Sequence, residues 1–167
     1  MGVHDFSIKS HSVDGRGPEK PSEQEALRAV ITMLRWAGDD PNREGLVETP
    51  KRVLKAFNEW FSGYNEDPVE VLEKTFREVE GYEDWVVLKS IRLESYCEHH
   101  LAPIIGIVHV AYIPTERVVG ISKIARLVDA FSKRLQGQEK MTSQIPNTLQ
   151  SELKPLGTAG LVEGDNH

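Results

Sequence analysis

From residue 21 onward the apolar positions of this chain follow two rhythms in turn. In PSEQEALRAVITMLRWAG, Leu27, Val30, Ile31 and Leu34 keep a helical period. Ser22 followed by Glu25 reads as a capping box, so a helix is expected to open there and to end at Gly38. TPKRVLKAFNEWF predicts a second helix with Thr49 as N-cap, Pro50 in the first turn, and Val53, Phe57 and Phe61 on one face. It should stop near Gly63, and PVEVLEKTF predicts a short third helix.

The rhythm then changes. WVVLKSIRLESYC alternates from Val87 through Lys89, Ile91 and Leu93, a strand pattern. After CEHHLAP, the run IIGIVHVAYIP is apolar on both faces, as in a strand covered on both sides. ISKIARLVDAFSKRL returns to helical spacing through Ile121, Ile124, Ala125, Val128, Phe131 and Leu135. QEKMTSQIPNTLQSEL places Met141, Ile145, Leu149 and Leu153 four apart, with Pro146 expected to kink the helix. TAGLVEG begins a third strand. Helices, a hairpin, two helices and a strand make an α+β chain.

Composition narrows the class. The 167 residues, 39% hydrophobic and 28% charged, suit one globular domain. Residues 1–20, with Gly15, Gly17 and Pro18, read as a flexible tail, 21–80 as a helical region, and 81–167 as the main domain of strands and helices. The N-terminus MGVHDFSIKSH lacks a signal-peptide core, and no apolar run reaches the roughly 20 residues a membrane span needs. No membrane partner is therefore expected. A single cysteine fits a reducing, cytoplasmic setting. The net charge of -6 argues against nucleic acid as a partner.

Three constellations carry candidate chemistry. Cys97-Glu98-His99-His100 joins the two long strands, and a Cys-x-x-His turn either wraps a zinc ion or is a buried, inert cysteine beside exposed histidines. Ser122 stands where an N-cap belongs, with Lys123 and Arg126 three apart on one face. That suits phosphate groups, and equally a solvated basic face. Glu139, after Gln138, is either an acceptor for the N–H groups of a planar base or a first-turn acid favoured by the helix dipole, the second being preferred on local chemistry.

Taken together and in order, CEHHLAP, GISKIAR and RLQGQEK, with REGLVETPKRV upstream, resemble GTP cyclohydrolase I over residues 22–163. The resemblance implies a tunnelling fold, an antiparallel sheet with two helices on one face, whose subunits join into a homo-oligomer, a decamer with active sites between subunits. It implies zinc on Cys97 and His100, with an activated water attacking guanine C8 and His99 moving protons. Gln138 and Glu139 then hold the guanine edge, while Ser122, Lys123, Arg126 and Arg52 hold the ribose and triphosphate of GTP. The implied products are formate and 7,8-dihydroneopterin triphosphate, in the first step of folate and pterin synthesis.

The chain also departs from that pattern. The family continues past the third strand into a further cysteine ligand and a closing strand, where this sequence reads LVEGDNH. His167 is expected to act as the further catalytic histidine, or to stand in for the second thiolate. With one ligand fewer, weaker zinc retention and reduced activity are expected. Pro146, Gly160 and Gly164 replace residues more usual in helix and strand. Two alternatives stay open: a non-catalytic subunit of the same fold, and a tunnelling-fold enzyme acting on a deazapurine or pterin, which Arg52, Lys123 and Arg126 disfavour.

Overall fold

The computed structural model describes residues 19–73, 75–76 and 84–166, without the side chains of 75, 76 and 166. His167 and most of the expected N-terminal tail lie outside these. The chain divides into two compact units between Leu54 and Lys55.

The first unit holds helix α1 (Glu23–Trp36) and the start of α2 (Thr49–Trp60). The capping box forms as expected: Glu25 N–H donates to the Ser22 hydroxyl at 3.3 Å, and Ser22 N–H donates to the Glu25 carboxylate at 2.9 Å. Thr49, expected as an N-cap, is instead the first helical residue, its hydroxyl donating back to Gly45 O at 3.4 Å. The turn between the helices is organised by Asp39, which accepts from Arg43 Nε at 2.8 Å and Nη2 at 2.7 Å. These bonds, joined by the Asp40 N–H, hold the Asp39 carboxyl at about 2, below its ordinary 3.8.

The second unit is α+β. A four-stranded sheet runs in the order β5 (Leu135–Gln136), β2 (Val86–Cys97), β3 (Pro103–Ile113), β6 (Gly157–Asn166). The β2–β3–β6 part is antiparallel as expected, whereas β5 joins β2 in parallel, so the sheet is mixed. Two residues of β5 carry no periodicity from which a sequence reading finds them. A second pair, β1 (Thr75–Phe76) with β4 (Val118–Val119), occupies part of the stretch expected to be helical, because α3 is only Pro68–Leu72.

Helices α4 (Ile121–Ser132) and α5 (Gln138–Leu153) supply the core together with one face of the sheet. Ile124, Leu127 and Val128 of α4 and Met141, Ile145 and Leu149 of α5 are fully buried, with Leu93, Ile104, Val108, Val110 and Tyr112. The facing of β2 differs from the expected alternation. Leu93 is inside and Val87 is 47% exposed, because the register shifts between Leu88 and Ile91. Ser90 takes a left-handed φ of 58° there, and its N–H donates to His109 Nδ1 at 3.4 Å. One extra residue in a strand exchanges its faces.

Pro146 does not end α5, which runs through it for 16 residues. A β-carbon on Gly160 of β6 would stand 3.3 Å from Pro146 Cδ, so the strand leaves room for the ring. Two residues that are each unusual for their element thus accommodate one another. Among the described residues no helix is long and apolar enough to cross a membrane.

Two outcomes follow. Because the folded value of Asp39 is depressed, its stabilisation is complete above 3.8 and is lost as pH falls through about 2. Replacing Arg43 with alanine should return the carboxylate titration to the ordinary range, as read by NMR. Separately, Gly160→Val should cost about 1–3 kcal/mol in urea unfolding. Adding Pro146→Ala should recover part of it, with a coupling of at least about 0.5 kcal/mol; strict additivity would refute the pairing.

Candidate active site

Strand β2 delivers Cys97 to the end of the hairpin, and the loop that follows is closed by backbone bonds. Cys97 N–H donates to Ala102 O at 2.8 Å, and Leu101 N–H donates to Cys97 O at 2.9 Å. Leu101 takes a left-handed φ of 57°, a conformation that a side chain with a β-carbon adopts at a cost of order 1 kcal/mol. The strain therefore sits in the loop that carries Glu98, His99 and His100.

The Cys97 thiol is buried while both histidines are exposed. Its Sγ lies 3.7 Å from His99 Nδ1 and 3.9 Å from His100 Nδ1. A tetrahedral zinc with ordinary Zn–S and Zn–N bonds holds sulfur and nitrogen about 3.6 Å apart. The spacing therefore fits donors to one ion, and the donor chemistry, a thiol with imidazoles, suits zinc. Both histidines meet this test, so distance alone does not select His100 over His99. Among the described residues no cluster of three His, Cys, Asp or Glu is placed to hold a metal. Cys97 and either imidazole offer two donors at a spacing that suits zinc.

The purine-edge candidates reach this loop through β5. Cys97 pairs with Gln136 in the parallel ladder, and Glu98 N–H donates to Gln136 O at 3.0 Å. Gln136 is itself buried, its Nε2 donating to Phe131 O at 2.8 Å and to Gln144 Oε1 at 3.2 Å. One residue on, Gly137 opens α5, so Gln138 and Glu139 occupy the first turn beside the loop. Gln138 Nε2 donates to Val162 O at 3.2 Å, which fixes its side chain against β6, whereas Glu139 is exposed.

Helix α4 opens at Gly120, not at Ser122. The short strand β4 ends at Val119, so the extended residue that precedes the helix is Gly120 and Ser122 falls inside the first turn. Gly120 provides no side-chain cap. Lys123 and Arg126 line a cleft of about 220 Å³ whose other wall is Asn65, Glu66, Asp67 and Glu70. Sequence reading missed that wall and the residue that holds it. Arg134 donates from Nε to Gly63 O at 3.0 Å and from Nη2 to Glu66 O at 2.9 Å, its guanidinium lying 5.6 Å from the Phe131 ring centre. No local pattern announces a partner 71 residues away. Arg52 lies on an exposed side of α2 in the first unit, and His167 is outside the described residues.

Residues 26–167 match the profile of the GTP cyclohydrolase I family, a span that includes every candidate residue above. The chain belongs to the GTP cyclohydrolase I family. The GTP cyclohydrolase 1 of Maricaulis maris is 60% identical over 144 residues, which cover 86% of this chain and 70% of that one. Those of Hyphomonas neptunium and Pelagibacter ubique are 56% and 57% identical, with 71% and 72% of their lengths covered. The matched span takes in the hairpin loop, the α4 start and the α5 start.

Arg134→Ala should lower stability by about 2–3 kcal/mol, since two half-buried carbonyls lose a charged donor. Urea unfolding checks this: a change within about 0.5 kcal/mol of zero would show that the two bonds do not support the wall.

Proposed function

We propose that this chain hydrolyses GTP to formate and 7,8-dihydroneopterin triphosphate, the opening step of folate and pterin synthesis, as a zinc enzyme of the cytoplasm. The observation that carries this reading is the meeting at one hairpin end of Cys97, His99 and His100 with the first turn of α5, through the Glu98 N–H to Gln136 O bond of 3.0 Å. A donor set for a metal and an acceptor pair for a purine edge then stand side by side. The names of the relatives, each a GTP cyclohydrolase 1, support the same activity.

Each residue receives a role from its chemistry. Cys97 and His100 hold the metal, and the 3.9 Å between Sγ and Nδ1 suits this. Bound there, zinc supplies Lewis acidity that brings the pKa of a water near 7. His99, exposed on the same loop, carries protons to and from the purine, which an imidazole does in both directions near neutral pH. Glu139 accepts two N–H bonds from the guanine edge, with Gln138 beside it fixed by its bond to Val162 O. Ser122, Lys123 and Arg126 bind ribose and phosphates at the opening of α4, where the positive end of the helix dipole adds to the cations. Arg52 contributes a further triphosphate contact. Remaining metal donors are assigned to His167 or to a neighbouring copy.

The finer architecture follows the same reading. Residues 81–167 form the tunnelling fold, 21–80 a helical region before it, and copies assemble into a homo-oligomer, a decamer with sites between subunits. Two features support assembly. Strand β6 is an edge of the sheet, and α1 has an apolar stripe yet no buried residue. The net charge of -6 supports a small-molecule partner over nucleic acid. The alternative, a non-catalytic subunit, draws on the absence of a three-residue metal cluster among the described residues.

One experiment separates them. Purified protein supplied with zinc should release formate from GTP and form a fluorescent pterin. Cys97→Ser and His100→Ala should each lower zinc affinity by at least about 100-fold and abolish turnover. Lys123→Met should raise KM for GTP about tenfold or more. Protein that binds GTP yet takes up no zinc and releases no formate when zinc is supplied would establish the non-catalytic reading instead.

A further inference from the structure

The carboxylate of Glu98 has no role in the chemistry above, yet it stands between the two halves of the site. Its Oε2 lies 3.9 Å from Lys140 Nζ in the first turn of α5. Its Oε1 is 3.5 Å from the point where a β-carbon on Gly137 would stand, and Glu139 Oε2 is 3.8 Å from that same point. Gly137 is the N-cap of α5 and offers no side chain to it. The Glu98 carboxylate thus lies by the positive end of a 16-residue helix, where a negative charge is favoured. Nearby Lys140 limits the repulsion between the two carboxylates.

We propose that Glu98 is a positioning residue for the reaction proposed above, on which this inference rests. Its main chain and carboxylate together hold the loop of Cys97, His99 and His100 against the turn of Gln138 and Glu139. The tie adds to a short strand pairing and to the bonds of Gln136. The ladder between β2 and β5 has two rungs, Tyr96 with Leu135 and Cys97 with Gln136. The loop itself carries the left-handed Leu101. A purine held by α5 must present one atom to chemistry launched from the loop, and such placement errors of about 1 Å cost up to about 100-fold in rate. Substituting the side chain leaves the Glu98 N–H bond in place, so variants isolate the carboxylate's share.

The test uses cobalt(II) in place of zinc, whose thiolate-to-metal absorption reports on Cys97, together with GTP. In the wild-type chain GTP binding should perturb the cobalt spectrum. In Glu98→Ala, cobalt and GTP should each bind within about threefold of wild type while the perturbation disappears, and kcat for formate release should fall about 10- to 100-fold with KM little changed. Glu98→Gln, which keeps the size and one acceptor, should recover part of both signals. A Glu98→Ala protein that retains the spectral response and a kcat within about twofold would overturn the inference alone. So would equal losses of cobalt affinity and thermal midpoint in both variants, which mean simple structural support. A folded wild-type chain that binds neither cobalt nor GTP overturns the proposed function and this inference with it.

Discussion

The site depends on one parallel rung. Where β2 ends at Cys97, two residues of β5 lie alongside it, and the Glu98 N–H bonds to Gln136 O at 3.0 Å. That contact converts sequence neighbours of two different elements into spatial neighbours. Gln136 anchors the arrangement from below through the carbonyl of Phe131 and the amide of Gln144, so the rung is tied to both core helices. Both amide donors of Gln136 are satisfied in this way, while its Oε1 is buried without a hydrogen-bond partner. The hairpin end and the start of α5 are therefore held by the same buried framework that holds the core.

That framework is largely hydrophobic and was legible in the sequence. The stripe of α5 is buried as its spacing predicts, through Met141, Ile145, Leu149 and Leu153, and that of α4 through Ile124, Val128 and Phe131, whereas Ile121 is exposed and Leu135 falls beyond the helix in β5. The two long strands and the third strand also lie where the pattern puts them. What escaped was set by partners distant along the chain. Strand β5 exists only because Cys97 and Tyr96 lie beside it. The first helical residue after β4 was misplaced because the residue at the N-cap position, Gly120, has no side chain to announce it. Pro146 reads as a kink within α5, and nothing along the chain announces that Gly160 stands opposite it.

The candidate residues show the same division. Cys97 with the adjacent histidines was readable as a possible metal turn because the loop is local, and its 3.7 and 3.9 Å spacings agree with that chemistry. Lys123 and Arg126 were readable as helical neighbours. The acidic wall opposite them, and the guanidinium of Arg134 that supports it, were not, because they depend on a bond to Gly63 O across 71 residues. Glu98 was visible only as a letter between ligands. Its carboxylate acquires meaning once α5 is seen to begin beside it.

The additional residue near Ser90 has a further consequence for how this strand is organised. The stretch before it and the stretch after it are out of phase, and His109 receives the displaced amide. The orientation of the thiol seven residues on is consequently insulated from how the strand begins. Changes of length at the outer end of the hairpin can be absorbed at that break, and the sulfur goes on pointing inward.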